Sequence, residues 1–595
     1  MTPEDPKDPL QEVGALSLAR ERREIMSLPP EKALERILEA PDTGALVRSF
    51  AEEDFYFLVN GIGPEDSLPI LAAAAPRQWA YLLDLETWNR DRFEPAAAEQ
   101  WIATLERAAG SRLIRWMLRR KKDLLDLFLS KTATVYVREH DQDPSEFGED
   151  VFTLDDVYYV RVVPPEGPPE GIEKRQEERE RLIPRLLEKI AEVDHRLYQY
   201  QLLEAAALLP AEAEEEAYRL RNVRLAEKGF APPDEAVGIY QRLTPGELLQ
   251  RGRKHLLGEG EPFSALPVPG FADGLLDRGG LFARSLSALQ SAPAMLQLQQ
   301  EFAGLCNRVI AADQAPVRER EALRGVVEKA AGYLSIGLER LIAGKKGDPA
   351  VRAARLIEAY PLVELFRVGH GEAMALKWKA GKWQKQSWYQ AAADLPIHFW
   401  DEQWVGVLGG LLLPRPRFFD NYRTGPAAYR DFACLEDIRW TEAVLDQIIA
   451  TDRVLSLLNL DPAGHRPRGL TYKNVLLTLW AIDTSGLADS EGPFSLVPTI
   501  STDALKQFHR RLFADPSPQE RSGARRIADT LKEAFARWLS RRTGLDPVQI
   551  GRDLGPMLED LFAELEEEMG AVDARYLDPR YVRLFLVADP DADAD

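Results

Sequence analysis

Cysteine and histidine are scarce in this sequence. Only 2 cysteines and 7 histidines occur among 595 residues, and Cys306 and Cys434 lie far apart, without a cysteine or histidine at ligand spacing. So few thiols exclude a disulfide framework and a cysteine-rich zinc module. The protein must therefore be held together by a packed interior.

Long apolar runs are missing as well. The longest run, residues 404–413, ends at Pro414, well short of the roughly 20 residues that cross a bilayer. Residues 1–10 are acidic and rich in proline, and they lack the basic and apolar segments of a secretory signal. We expect a cytoplasmic protein without membrane insertion.

The common enzyme motifs do not occur either. The sequence has no Gly-x-Gly-x-x-Gly loop, no His-Glu-x-x-His helix and no Gly-x-Ser-x-Gly elbow. Residues 337–345 fail the spacing of a P-loop, and no Ser or Thr follows their lysine pair. We expect no cofactor. The sequence does not decide whether the protein is an enzyme, and the missing motifs weigh against an enzyme.

The sequence does contain ample apolar material and an excess of acid. Hydrophobic residues make up 45% of the chain, and 75 Lys and Arg residues stand against 96 Asp and Glu residues, a formal net charge of -21. The apolar content predicts a folded protein. The negative charge disfavours nonspecific binding to nucleic acid or anionic lipid.

The first hundred residues carry a regular spacing of helix starts. Prolines and acidic residues, which favour a first helical turn, recur every 10 to 12 residues, at Pro30, Pro41, Glu52, Pro64 and Pro76. A short apolar-periodic segment follows each of them. Helices of about 8 to 10 residues are marginal alone in water, so we expect a stacked array of short helices.

The periodicity changes after this array. Residues 133–137 and 157–163 are β-branched and aromatic, which predicts a two-stranded β-ribbon. A single charged helix is predicted over residues 172–203, with Pro184 in its first turns or at a kink. Residues 581–587 are predicted to form a final strand.

These signals predict a mainly α fold, a multi-domain array of short stacked helices with a small β-ribbon insertion. Residues 231–237 echo residues 28–34 and indicate a helical repeat. The predicted parts are an N-terminal tail (1–27), the short-helix array (28–130), the β-ribbon insertion with an acidic loop and a Pro-rich connector (131–170), a second helical unit (171–257), a Gly/Pro-rich linker (258–280), one or more Trp-rich C-terminal helical domains (281–588) and a disordered acidic tail (589–595).

Two resemblances accompany this pattern. Residues 28–88, with the phrase Leu-Pro-Pro-Glu at the first helix start, are similar to the cytosolic N-terminal helical domain of the magnesium-transporter family. The whole chain resembles an uncharacterised bacterial family of large helical proteins of unknown function, notably in residues 45–63 and 402–420. The first resemblance implies a helical fold, and the second implies no activity.

The acidic loop of the ribbon supplies candidate metal ligands. Carboxylates are the donors that Ca²⁺ and Mg²⁺ prefer, and the candidates are Asp141, Asp143, Glu146, Glu149 and Asp150. In the register of an EF-hand, however, the sixth residue is not glycine and the twelfth is not glutamate. A solvated loop is the simpler interpretation, and a divalent-ion site is the alternative.

Aromatic and basic residues alternate in residues 377–388. Aromatic rings beside cations would suit a single-stranded nucleic acid or a flat ligand. The candidate surface consists of Trp378, Lys379, Lys382, Trp383, Lys385 and Trp388. Steps of five residues turn by roughly 140° on a helix, so the tryptophans cannot share one stripe. Packing in the core is the simpler interpretation.

His370 is the candidate for catalytic chemistry. The glycines on either side of it predict a loop, in which an exposed imidazole could serve as a base or a ligand. His398, Asp401 and Asp420 fall in the same region and complete the catalytic candidates. No nucleophile can be assigned by spacing, and a loop histidine that only bonds its neighbours is the simpler interpretation.

Three functions follow, in order of preference. The first is a nonenzymatic interaction scaffold or regulatory module that binds another protein, because stacked short helices present extended surfaces. The second is an enzyme, or a small-molecule or divalent-ion sensor, with a site around residues 370–420. The third is binding of single-stranded nucleic acid through residues 377–388, which the acidic charge disfavours.

Overall fold

The computed structural model describes residue 18 and residues 20–166, 171–254, 270–271, 276, 279–289, 292–314, 317–391, 395–421, 428–461, 469–486, 495–513 and 525–588. Contacts between Cα atoms divide the chain into two units, Met1–Gly369 and His370–Asp595. The described residues are mainly α-helical, with three small two-stranded antiparallel sheets, which confirms the predicted fold class. The predicted tail 589–595, and most of the predicted tail 1–27 and linker 258–280, lie outside these residues.

The first unit begins with the expected short helices. After a helical segment at residues 20–27, the elements are α1 Pro30–Leu38, α2 Thr43–Ser49, α3 Glu52–Ile62, α4 Leu68–Ala73, α5 Pro76–Glu86, β1 Trp88–Asn89, β2 Arg92–Phe93, α6 Pro95–Ala109, α7 Ser111–Arg120 and α8 Lys122–Thr132. Their apolar faces share one core, in which Phe55, Trp79 and Phe128 are completely buried. This packing supplies the stability that such short helices lack alone.

Capping residues and prolines set the helix starts. Prolines occupy the first positions of α1, α5 and α6. Asp42 caps α2 by accepting a hydrogen bond from the Ala45 N–H at 2.8 Å. The start predicted at Pro64 is wrong, because α4 begins at Leu68. A helix from Pro64 would hold Pro69 in its interior, where proline lacks an N–H and clashes with the preceding turn.

The predicted β-ribbon is present. Strand β3 Ala133–Val137 pairs antiparallel with β4 Tyr158–Val162. A 3₁₀ turn at Pro144–Phe147 lies in the loop between them. The ring of Phe147 is buried and stacks on Tyr159, with 4.3 Å between the centroids, so this end of the acidic loop is anchored to the ribbon.

The next helices are α9 Ile172–Val193, α10 His195–Ala207, α11 Pro210–Ala226, α12 Pro233–Ala236 and α13 Pro245–Leu249. The single helix predicted over residues 172–203 is in fact two. Asp194 is extended (φ -163°, ψ 109°), and its carboxylate caps α10 by accepting hydrogen bonds from the N–H groups of Arg196 and Leu197. Pro184 lies in the interior of α9, not in its first turns.

The first unit ends in longer helices. They are α14 Leu281–Leu286, α15 Ala292–Asp313, α16 Arg320–Ile342, α17 Pro349–Ala359 and α18 Leu362–Gln386. The last of these continues into the second unit.

The second unit has an aromatic core. Its further elements are α19 Trp388–Ala391, α20 Asp401–Leu412, β5 Phe418–Phe419, β6 Tyr429–Arg430, α21 Leu435–Leu457, α22 Tyr472–Thr484, α23 Thr502–Leu512, α24 Asp529–Thr543 and α25 Pro547–Met569. The ring of Trp480 meets the rings of Phe508 and Phe535 edge-on, each at 5.0 Å between centroids. Such edge contacts are a favoured geometry for aromatic pairs.

The strand predicted over residues 581–587 is wrong. Pro579–Tyr581 forms a 3₁₀ turn, and the described residues around it contain only an isolated bridge between Val587 and Ile500. A lone bridge gives the segment no strand partner along its length. Within the described part of the chain, no helix has both the length and the apolar composition to cross a membrane.

Two glycines allow α16 and α18 to cross at close range in the first unit. A Cβ at Gly369 would overlap the carbonyl oxygen of Tyr333, and a Cβ at Gly337 would overlap that of Leu365. Packed interiors leave no space for such an atom. The glycine beside His370, which suggested a loop in the sequence, is therefore required for helix packing.

We expect Gly369→Ala to lower the free energy of unfolding by about 1–3 kcal/mol, because the added methyl forces the two helices apart. Gly381→Ala is the matched control on the same helix, since no atom of the residues that the structure describes lies within 4 Å of a Cβ at that position. The control should be neutral or stabilise by up to about 1 kcal/mol. Urea unfolding of both variants measures the difference, and equal midpoints would contradict the close crossing.

Candidate functional site

The four catalytic candidates lie in different surroundings. His370 is inside α18 and is 1% exposed, so the predicted exposed loop is wrong at this position. His398 is exposed in a 3₁₀ turn. The carboxylate of Asp420 accepts a hydrogen bond from Arg430 Nε at 3.0 Å. Asp401 has the most organised surroundings of the four.

Asp401 joins three helices of the second unit. Its backbone has a positive φ of 66°, a conformation that residues other than glycine rarely adopt. Its Oδ2 accepts a hydrogen bond from the Tyr472 hydroxyl at 3.1 Å and pairs with Lys473 Nζ at 2.9 Å. Lys473 also pairs with Glu564 Oε1 at 2.6 Å. Because each of these groups has a charged or hydrogen-bonded partner, the arrangement fits a structural network.

The Trp/Lys segment does not form one surface. Trp378 is 51% exposed, whereas Trp383 is 8% exposed and its ring meets Trp400 edge-on. Lys379 pairs with Glu442 and Asp446, at 3.3 and 2.6 Å. Of the remaining members, Lys382 and Lys385 are exposed and Trp388 is half-buried. Nucleic-acid binding by this segment stays a prediction that the geometry does not favour.

The acidic loop of the β-ribbon is solvated. Asp141, Glu149 and Asp150 are exposed, and no three His, Cys, Asp or Glu residues of the described chain form a group that could hold a metal ion. Asp143 accepts hydrogen bonds from the Ser145 N–H and hydroxyl, which lower the pKa of its carboxyl group. Glu146 accepts one from Gln142. Divalent-ion binding here gains no support from the geometry.

A different site emerges in the first unit, where residues far apart in sequence enclose a cavity of about 670 Å³. We call it the Arg221 cavity. Its walls include Tyr56, Phe57, Tyr81, Glu86, Trp88, Gln100, Arg221, Leu225, Phe230 and Arg318. Cavities of roughly 300–1,000 Å³ with apolar walls and a few polar groups are typical of small-molecule sites.

Glu86 organises one wall of this cavity. The hydroxyl of Tyr56 donates a hydrogen bond to Glu86 Oε1 at 2.7 Å, and Arg318 Nη2 lies 2.8 Å from Oε2. Burial and the Glu86 carboxylate raise the pKa of Tyr56 above its usual value. The tyrosine therefore stays a hydrogen-bond donor, and the negative charge of Glu86 is matched by Arg318.

Arg221, unlike Arg318, has no ion-pair partner among the described residues. Its Nε donates a hydrogen bond to the backbone oxygen of Asp84 at 2.6 Å, and its Nη1 donates one to Asn222 Oδ1 at 3.3 Å. The guanidinium lies 5.6 Å from the centroid of the Trp88 ring. Burial lowers the pKa of Arg221, and the Asp84 charge only partly offsets this effect. Among the described residues, no carboxylate forms an ion pair with Arg221. A half-buried cation at a cavity wall is thus open to an external anion.

A second cavity of the first unit, of about 590 Å³, is lined by Glu53. We call it the Glu53 cavity. Its walls include Glu53, Lys228, Gly229, Lys254, Glu301, Gly304 and Arg308. One turn of the chain contributes to both cavities. Lys228 lines the Glu53 cavity, and Phe230 lines the Arg221 cavity.

Glu53 belongs to an acidic run that opens α3, and all three acids are buried. Glu52 pairs with Arg77 and Lys228, at 3.0 and 2.8 Å, and Asp54 accepts hydrogen bonds from the backbone N–H groups of residues 270 and 271. Glu53 Oε2 is 3.8 Å from Lys228 Nζ and accepts no hydrogen bond from a described residue. Glu53 is therefore the least satisfied of the three acids.

Burial raises the pKa of Glu53 to about 7, and Lys228 opposes this effect. Burial likewise raises the pKa of Asp54 to about 6, against the two backbone hydrogen bonds. In the sequence, this acidic run indicates only a helix start, because a first turn rich in acid is ordinary on an exposed helix. The one sequence signal for burial of these acids was their position directly before the apolar run 55–59.

Glu53→Gln should stabilise the protein at pH 8, by up to roughly 3 kcal/mol, and should change stability little at pH 5. The pKa of Glu53 is about 7 in the folded protein, against an ordinary value of 4.5. The folded state therefore binds more protons in this interval, and the wild type loses stability as the pH rises through it. Glutamine does not ionise and escapes that loss.

Urea unfolding at the two pH values measures this effect. Glu35→Gln is the control, since Glu35 is exposed on α1, and it should leave the pH dependence unchanged. A stability difference between Glu53→Gln and the wild type that is the same at both pH values would show that Glu53 ionises normally.

Comparisons with known proteins place the chain in a family. No curated protein matches it, and no solved structure matches it. The similarity of residues 28–88 to the magnesium-transporter domain is not confirmed and stays a prediction. The sequence profile of a family of unknown function matches residues 10–588, nearly the whole chain. The protein therefore belongs to this family of unknown function, DUF6178, as the resemblance to an uncharacterised family implied.

Proposed function

We propose that the protein binds a small organic anion with a planar apolar part, in the Arg221 cavity. The observation that carries the proposal is the unmatched guanidinium of Arg221 in the cavity wall. Even partial burial of a cation without a counter-ion is costly, and a ligand carboxylate or phosphate would offset that cost. Arginine also suits such groups because its planar fork donates two parallel hydrogen bonds.

The aromatic wall defines the rest of the ligand. Tyr56, Tyr81 and Phe230 form a chain of tilted and edge-on ring contacts, at 5.9 and 6.3 Å between centroids. Trp88 lies beneath the Arg221 guanidinium. Flat apolar groups pack well against such rings. The paired Glu86 and Arg318 add one hydrogen-bond acceptor and one donor at the wall, which can orient a polar substituent.

Isothermal titration with salicylate, indole acetate and adenosine monophosphate as probes tests this proposal. At least one probe should bind the wild type, and Arg221→Gln should weaken that binding about ten- to a hundredfold, because a charge-assisted hydrogen bond is lost. Arg221→Lys should bind with an affinity between those of the wild type and Arg221→Gln, since lysine keeps the charge but lacks the planar fork.

Arg219→Gln is the matched control. Arg219 lies on the same helix, but its side chain is 63% exposed and pairs with Glu216. Its affinity for the probes should equal that of the wild type. If Arg221→Gln binds every probe as tightly as the wild type does, the assignment of Arg221 is refuted.

Protein docking is the second candidate function, and an exposed apolar face of α10 favours it. Leu197, Tyr200 and Leu203 are 39%, 52% and 50% exposed. Steps of three residues place them on one side of the helix. Contiguous exposed apolar residues are a mark of interaction surfaces.

A photo-crosslinking phenylalanine analogue at Tyr200 should capture a partner protein in native lysate, and Leu203→Asp in the same chain should abolish the capture. The same analogue at Tyr576, which is 79% exposed in the second unit, is the control for nonspecific capture. Identical products from the two positions, or products that persist in Leu203→Asp, would count against docking at α10.

A further inference from the structure

We propose that the Glu53 cavity is a second ligand site, which takes a zwitterionic small molecule of the amino-acid class. This inference is independent of the function proposed for the Arg221 cavity. It concerns a different cavity, a different set of side chains and a ligand of different charge.

The acidic side of this site is Glu53. This residue is 2% exposed, lines the cavity, and carries a carboxylate oxygen that accepts no hydrogen bond from a described residue. Lys228 Nζ is 3.8 Å away and is held by Glu52 at 2.8 Å. Glu53 thus retains capacity for one further donor, and an ammonium group supplies both the donor and the matching charge.

The basic side is Arg308. It lies on α15 at the cavity wall, is exposed, and forms no ion pair with a described residue. Lys254, in contrast, is already paired with Glu301 at 2.6 Å. A buried carboxylate with an unfilled acceptor oxygen and a guanidinium without an ion pair among the described residues line the same cavity. Together they match the two charges of a ligand that carries an ammonium group and a carboxylate.

The site is rigidly built around Lys228. The next residue, Gly229, has a φ of +82°, and a Cβ there would lie 2.7 Å from the Cα of Gly304 on α15. The side chain of Asn307, also on α15, donates a hydrogen bond to the Lys228 carbonyl at 2.8 Å. The turn is therefore fixed against α15, so the lysine is held in place beside Glu53.

Protonation of Glu53 offers a direct readout. The charged and titratable groups that face it are Lys228, Glu52, Asp54 and Tyr81. With a pKa of about 7, Glu53 is mostly protonated at pH 6 in the free protein. A ligand ammonium favours the ionised form, so binding should release up to one proton at pH 6 and markedly less at pH 8.

Each of the 20 common amino acids is titrated separately into the full-length protein by calorimetry, in two buffers of different ionisation enthalpy. At least one should bind, with the proton release given above. Its N-acetyl and ethyl ester derivatives, which each lack one charge, should bind at least about tenfold more weakly.

Arg308→Gln and Glu53→Gln should each weaken binding by about tenfold or more, and Glu53→Gln should abolish the proton release. Arg324→Gln, an exposed residue on α16, is the control and should bind as the wild type does. Arg308 is exposed, so its replacement should leave folding intact. A change in affinity in this variant therefore reports on binding. Overturning results are no binding by any amino acid, an affinity unchanged in Arg308→Gln, or equally tight binding of the diamine putrescine.

Discussion

The buried charge of Asp84 holds together the helices that support the Arg221 cavity. Asp84 is 3% exposed and pairs with Lys121 at 2.5 Å and with Arg224 at 2.7 Å. Arg224 reaches on to Asp123 at 3.1 Å, and the Asp84 carbonyl accepts the hydrogen bond from Arg221. Loss of one member of such a buried network leaves the others uncompensated. The network joins α5, α8 and α11, and so fixes the wall that carries Arg221.

Local chemistry made much of the fold predictable. Proline at a first helical position, the Asp42 cap and the β-branched ribbon each act within a few residues, so each is visible in the sequence. The wrong predictions arise where contacts between residues far apart in sequence determine the local structure. The glycine before His370 resembles a loop residue until α16 is seen to press against it. The apolar pattern over residues 172–203 is continuous, although a single cap at Asp194 divides it.

The candidate site was hardly predictable. Aromatic and titratable residues are dense in residues 370–420, which predicted a site there, but many of these side chains serve packing or ion pairs. Each cavity, in contrast, is assembled from side chains of α3, α11 and α15, and Lys228 follows Glu52 by 176 residues. No motif spacing records such a separation. The charge composition does not indicate such a site either. Whether an arginine lacks an ion-pair partner depends on which carboxylates the fold brings near it.

The turn between α11 and α12 contributes residues to both cavities. Residues 228–230 form a partition, with Lys228 on one side and Phe230 on the other. Gly304 blocks movement of this partition toward α15. A ligand that shifted this turn would therefore change the walls of both cavities. A substitution that remodels this short segment would therefore be expected to alter both cavities together.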